Sequence, residues 1–332
     1  MRYLKSKALG VIGLGNMGCA ILNGVMSSGA FNPPSRNSPP VRVGMDSEWN
    51  FARLAALASR RSRGKPRASA RFSPQRSGRK ESTGVNPWSF KKNTFFGFDV
   101  DAKKCRFAKK RFGVSILKSA RETAACSDII LLAVKPQNMQ AALREISIRA
   151  DEKKLYISIA AGITTRNIET SLGGRPRVIR IMPNMPALIG EGISVVCGGR
   201  YANGGDLAAA GAIISSVGDA VRLDEKYFDL VTAVSGSGPA YFFYLIEGMI
   251  EAAIKMGLNK ESAERLVHKT ALGAAKLLIN SKDDPKTLRM RVTSKGGTTA
   301  EAIGVFDRAG TKQIIAEAVR AAARRSKELS GG

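Results

Sequence analysis

The stretch that most constrains this 332-residue chain lies near its start. An apolar run, Ala8 to Ile12, passes directly into Gly13-Leu14-Gly15-Asn16-Met17-Gly18, and helical spacing follows through Ala20, Ile21, Leu22, Val25 and Met26. Glycines in this order meet three separate needs. Gly13 allows a tight turn, Gly15 lets a ligand approach the backbone, and Gly18 lets the helix pack closely on the strand. The N–H groups that open a helix have no partners inside it, so with the helix dipole they make a phosphate site. Strand, turn and helix in succession predict the first unit of a dinucleotide-binding, doubly wound α/β sheet. Asn16 and Met17 lie within the turn and are expected cofactor contacts beside the three glycines.

Such a unit carries a charged residue at the end of its second strand, about 20 residues beyond the last glycine. Here the first candidate, Asp99, lies 81 residues beyond Gly18. The excess has its own composition. Residues 33–92 hold fourteen Lys/Arg against three acids, two Pro-Pro pairs and a Ser/Arg-rich run, with helical spacing only at Trp49 to Ala58. A tract like this buries too little apolar surface to offset its chain entropy. Removing those 60 residues restores a spacing of 21, so the tract reads as a disordered insertion inside the first βαβ unit. It carries +11 of the chain's +26. Clustered arginines attract nucleic acid, but Trp49, Phe51, Phe72, Trp88 and Phe90 follow no module pattern, so no nucleic-acid partner is expected. A passive loop and translated non-coding sequence, such as a retained intron, both remain as accounts of the tract. Asp99 favours an unphosphorylated ribose, and Lys103, Lys104 and Arg106 behind it favour a 2′-phosphate, so NAD(H) and NADP(H) both stand as expected cofactors.

Beyond the insertion, strands are expected at Thr94–Phe98, Val114–Leu117, Ile129–Val134, Leu155–Ala160, Val178–Ile181, Ile193–Cys197 and Ala220–Leu223. Helices are expected between several of them, including Asp101–Phe112 and Ala120–Ala125. This alternation predicts a mostly parallel sheet. From Lys226 strands give way to helices at Pro239–Met256, Lys260–Ile279, Asp284–Arg291, Ala300–Arg308 and Lys312–Glu328. The expected organisation is a Rossmann-type domain over 1–225 and an all-helical dimerisation and substrate domain over 226–332. Ala133, Lys135 and Pro136 follow one central strand and Ala161 and Gly162 the next, at the carboxyl edge where α/β ligands bind. No apolar run approaches the roughly 18 residues of a membrane span. Four cysteines without C-x-x-C spacing indicate neither a disulfide framework nor a metal site, and fit the cytoplasm. His268 reads as an ordinary helical residue, and Glu247, Glu251 and Lys255 as a salt-bridged face rather than a metal site.

Five ordered blocks then carry a resemblance. Gly10–Gly18 (GVIGLGNMG), Ala133–Gln137 (AVKPQ), Arg180–Ala187 (RIMPNMPA), Val234–Tyr241 (VSGSGPAY) and Val292–Thr299 (VTSKGGTT) together resemble pyrroline-5-carboxylate reductase. The resemblance implies reduction of a small cyclic imine, 1-pyrroline-5-carboxylate, to L-proline by hydride from NAD(P)H. A protonated imine already accepts hydride well, so orientation and a hydrogen-bond partner for the ring nitrogen suffice. By resemblance Thr299 supplies that hydroxyl. Ser294, Gly296, Gly297 and Thr298 hold the substrate carboxylate, Lys135 contacts the cofactor, and Asn184 sits near the nicotinamide. An ordinary helix start capped by Thr298 or Thr299 is the competing account of the glycine–threonine run. Subunits are implied to pair through the C-terminal helices, with rings of dimers as a further assembly. Two positions depart from the family pattern. Asp99-Val100-Asp101 stands where NADPH-preferring members place a Ser/Asn-Arg-Thr-like clamp, and Ala120 where many carry asparagine. A 3-hydroxyacid dehydrogenase shares the GLGNMG turn. It needs a lysine four residues before an asparagine on the long helix, and here that helix opens Ser237-Gly238-Pro239-Ala240-Tyr241-Phe242-Phe243.

Overall fold

The computed structural model describes residues 7–27, 94–147 and 151–330. The inserted tract at 33–92 lies outside the described residues. Two compact units emerge, Met1–Gly236 together with Arg325–Gly332, and Ser237–Arg324.

The first unit opens with β1 (Leu9–Ile12), α1 (Asn16–Ser27), β2 (Phe95–Phe98), α2 (Ala102–Phe112) and β3 (Ser115–Ile116). It continues through α3 (Ala120–Ala125), β4 (Ile129–Leu132), α4 (Pro136–Ser147), β5 (Leu155–Ser158), α5 (Thr165–Leu172) and β6 (Arg177–Met182). A 3-10 turn (Met185–Ile189), β7 (Gly192–Gly198), α6 (Gly204–Ile214), β8 (Gly218–Arg222), α7 (Phe228–Val231) and a π turn (Thr232–Gly236) complete it. The eight strands form one sheet in the order β3-β2-β1-β4-β5-β6-β7-β8. The order in which successive strands are added therefore reverses between β1 and β4, which creates the crevice where ligands of open α/β sheets bind.

Every residue of β1, β4 and β5 is buried. That is the mark of strands covered on both faces, and it explains why they read as continuous apolar runs. One core lies against α1 and α6, with Leu9, Ile21, Leu22, Ile179 and Ile213 among its members. The opposite face packs Ile12, Ile130, Met139, Leu143, Tyr156 and Ile168. Among the described residues only β6 and β7 pair antiparallel. The segment between them, with Pro183 and Pro186, is too short for the crossover that a parallel pair requires.

The second unit is helical: α8 (Gly238–Lys255), α9 (Lys260–Asn280), α10 (Pro285–Arg291), α11 (Thr298–Arg308) and most of α12 (Thr311–Leu329). The units part at Gly236, beyond the change of character at Lys226. The reason is packing, because Phe228 and Val231 cluster with Val195 and Cys197 of β7. The last turn of α12 also belongs to the first unit, where buried Ser326 donates from Oγ to Asp229 Oδ1 at 2.7 Å.

Candidate active site

The glycine turn joins three strand ends. The N–H of Gly13 donates to the carbonyl of Phe98 in β2 at 2.9 Å, and the N–H of Ala133 after β4 donates to Ile12 at 2.8 Å. Gly13 has φ 98°, and a Cβ there would lie 2.6 Å from the carbonyl carbon and oxygen of Ala133. Both facts require glycine. Gly18 meets the same limit, since a Cβ on it would strike the Gly13 carbonyl. Gly15 differs. A Cβ there meets nothing within 4 Å, so its glycine leaves open space above the turn. No acid occupies the first turn of α1, and Asn16 is exposed while Met17 is half-buried against the core. Free helix-opening N–H groups beside the open space at Gly15 fit a pyrophosphate.

Asp99 is more deeply engaged than its sequence position suggests. Its Oδ2 accepts the Leu14 N–H of the glycine turn at 2.7 Å, and its Oδ1 accepts the Asp101 N–H at 2.9 Å. The carboxylate therefore staples β2 to the turn. Asp101, not Asp99, caps α2 by accepting the Lys103 N–H at 2.8 Å. Lys103 and Arg106 are exposed and Lys104 is half-buried. Among the described residues no cation comes within ion-pair distance of Asp99 or Asp101. Beneath the turn, Cys19 Sγ donates to the Leu14 carbonyl at 3.3 Å. Burial pushes its thiol up to about 12, with Asp99 adding to the rise and Lys104 opposing it.

At the carboxyl edge of the sheet, Lys135 and Pro136 are exposed at the start of α4, and Ala161 is half-buried. Gly162 is buried with φ 74°, and the carbonyl of Leu329 at the end of α12 lies 3.2 Å from where its Cβ would be. Asn184 is 9% exposed, and its Oδ1 accepts the Ile193 N–H at 3.0 Å. Its side chain thus braces the entry to β7 rather than its own turn. Ala120, at a departure from the family pattern, is buried as the first residue of α3 behind the Ser119 cap.

In the second unit, Ser294 to Gly297 form a turn closed by the Gly297 N–H donating to the Ser294 carbonyl at 3.1 Å, with Gly296 at φ 70°. Helix α11 begins at Thr298, its cap position is Gly297, and no side chain caps it. The competing account of this run, a helix start capped by Thr298 or Thr299, is therefore not what the structure has. Both threonines lie inside the helix, one and two residues past the cap position. Thr298 and Ser294 are exposed and Thr299 is half-buried. The run presents two hydroxyls and a glycine-flanked helix start suited to an anion.

Sequence reasoning missed a buried polar cluster beside the site. Arg180 of β6 pairs with Glu225 at 3.0 Å, and Glu225 accepts both the N–H (2.8 Å) and the hydroxyl (2.6 Å) of Thr165 at the start of α5. An arginine inside the apolar run Val178-Ile179-Arg180-Ile181 was the available signal, since such a charge must find a partner.

A family model described as pyrroline-5-carboxylate reductase dimerisation matches residues 225–329, and one described as NADP oxidoreductase, coenzyme F420-dependent, matches residues 84–162. A pyrroline-5-carboxylate reductase of Pseudomonas aeruginosa is 44% identical over 224 residues, 66% of this chain and 81% of that relative. The chain belongs to the pyrroline-5-carboxylate reductase family. Its Arabidopsis thaliana member is 38% identical over 219 residues, 66% of this chain and 79% of that relative. The solved pyrroline-5-carboxylate reductase of Coxiella burnetii aligns with TM-score 0.74 and 28% identity over 98% of both chains. That of Plasmodium falciparum, with NADP bound, aligns with TM-score 0.72 and 27% identity over 98% of this chain and 99% of its own. No described helix is long and apolar enough to cross a membrane.

Proposed function

We propose that this chain reduces 1-pyrroline-5-carboxylate to L-proline with hydride from NAD(P)H, the last step of proline synthesis. Beyond family membership, the observation that carries this reading is the start of α11, where a glycine pair and two threonines open a helix that no side chain caps. Bound NAD(P)H supplies hydride at the imine carbon. Gly13, Gly15, Asn16, Met17 and Gly18 cradle the pyrophosphate and Asp99 takes the adenosine ribose. Ala133, Lys135, Pro136, Ala161, Gly162 and Asn184 line the rest of the cofactor path. Ser294, Gly296, Gly297 and Thr298 hold the substrate carboxylate, and the Thr299 hydroxyl engages the ring nitrogen. Orientation by these groups is the main demand, because the protonated imine is already electrophilic. A homodimer built on the helical segment is the working unit, and rings of dimers are its larger form. Four cysteines without C-x-x-C spacing support a reducing compartment, the cytoplasm, as its location.

The test is reduction of pyrroline-5-carboxylate by the purified chain with NADH and with NADPH, alongside Thr299→Ala. The variant is expected to lose about a hundredfold in kcat and to bind dinucleotide as before. Unchanged turnover in Thr299→Ala removes that residue from the mechanism. No reduction by folded wild type with either nucleotide removes the function.

A further inference from the structure

We propose that Asp99 is the specificity-determining residue for the cofactor, and that this chain binds NADH in preference to NADPH. The inference rests on the dinucleotide reading of the glycine turn. It starts from the fixed position of one carboxylate. Asp99 is bonded directly to the turn through the Leu14 N–H and to the start of α2 through the Asp101 N–H. Swinging it away would orphan the N–H of Leu14, a residue only 2% exposed. Each carboxylate oxygen has a second acceptor site left. Ribose hydroxyls can donate to those sites without disturbing either internal bond. A 2′-phosphate offers acceptors and about two negative charges at neutral pH, so it meets this carboxylate as a like charge.

The surrounding residues reinforce the sign. Asp101 places a second carboxylate two residues on, held as the cap of α2. Val100 between them is 88% exposed and offers a phosphate nothing. The cations Lys103, Lys104 and Arg106 stand on α2 and do not pair with either acid. Lys109, Lys110 and Arg111 lie in the last turn of that helix. These charges attract the 2′-phosphate as well as the pyrophosphate and so oppose the carboxylate. Among the described residues, however, none of them pairs with Asp99 or Asp101, and the carboxylate tied to the turn is the group bonded at the end of β2 itself.

The experiment is calorimetric titration of the full chain with NADH and with NADPH, repeated with ADP and 2′,5′-ADP as fragments lacking the nicotinamide. Wild type is expected to bind NADH at least about tenfold more tightly than NADPH, and ADP more tightly than 2′,5′-ADP. Asp99→Asn keeps an acceptor for Leu14 and removes the charge, and is expected to bring the NADH/NADPH ratio towards one. Val100→Arg, at an exposed position with no internal role, is expected to tighten NADPH alone. Equal or tighter binding of NADPH by wild type overturns the proposal and leaves the dinucleotide reading standing. So does an unchanged ratio in folded Asp99→Asn. Failure of folded wild type to bind either nucleotide overturns both together.

Discussion

Arg180 stands in the middle of β6, between Ile179 and Ile181, with a side chain only 4% exposed. Its guanidinium lies 4.6 Å above the Phe228 ring and 3.0 Å from Glu225, and Nη2 is buried without a hydrogen-bond partner. Glu225 is the more solvated member, its side chain 28% exposed. Removing either partner is therefore unequal. Glu225→Ala strands a buried cation and releases Thr165, and is expected to cost about 3 kcal/mol in urea unfolding. Arg180→Met leaves a carboxylate that water can reach, and is expected to cost less. The reverse order would show that the arginine serves mainly by packing. Two buried thiols of the first unit, in separate core clusters, predict an alkaline limb. Burial pushes Cys19 and Cys197 from 9.0 up to about 12. A raised folded pKa contributes stability that is complete below pH 9 and is lost as pH rises towards 12. Cys19→Ala is expected to flatten the fall of the unfolding midpoint across that window. An equally steep fall would assign it to other groups.

At the scale of elements, the glycine turn separates two roles that one motif combines. Gly13→Ala forces a side chain onto the Ala133 backbone at positive φ, and is expected to lower stability by about 1–3 kcal/mol and weaken dinucleotide binding with it. Gly15→Ala meets no atom of the protein, so thermal unfolding should stay unchanged while dinucleotide affinity drops. Loss of stability in both variants would mean that the opening above Gly15 has a structural use. This turn was legible in the sequence because its glycines answer to local geometry. The central strands β1, β4 and β5 were legible because burial on both faces leaves near-continuous apolar runs. Side-chain bonds to distant backbone were not. Asp99 reaches Leu14 across 85 positions, and Asn184 holds Ile193 through a turn whose shape depends on the sheet. The helix α11 starts at Thr298, two residues before the expected Ala300, which puts both threonines inside the helix with neither as its cap.

At the scale of the whole molecule, the second unit does not close its own core. Among the described residues of Ser237–Arg324, the buried apolar side chains are Ala263 and Val267. In α8, Tyr241, Phe242, Phe243, Tyr244 and Leu245 run consecutively, with Phe242 68% and Tyr244 78% exposed. Five successive residues pass more than once around a helix, so the apolar surface is not a single stripe facing one neighbour. A helical stretch apolar on every side, as Tyr241–Leu245 is, has to be covered, and the dimerisation family matched by residues 225–329 points to the cover, a second copy of the chain. Stability then depends on concentration, because association favours the folded state. The midpoint of thermal unfolding is expected to rise with protein concentration. Phe242→Glu and Tyr244→Glu each place a charge in the contact and are expected to shift sedimentation to the single-chain mass. The glycine turn lies in the other unit, so dinucleotide binding should survive both substitutions while imine reduction is lost. A wild-type chain sedimenting as a monomer at micromolar concentration, with these aromatics uncovered, would overturn this account of how the helical unit is stabilised.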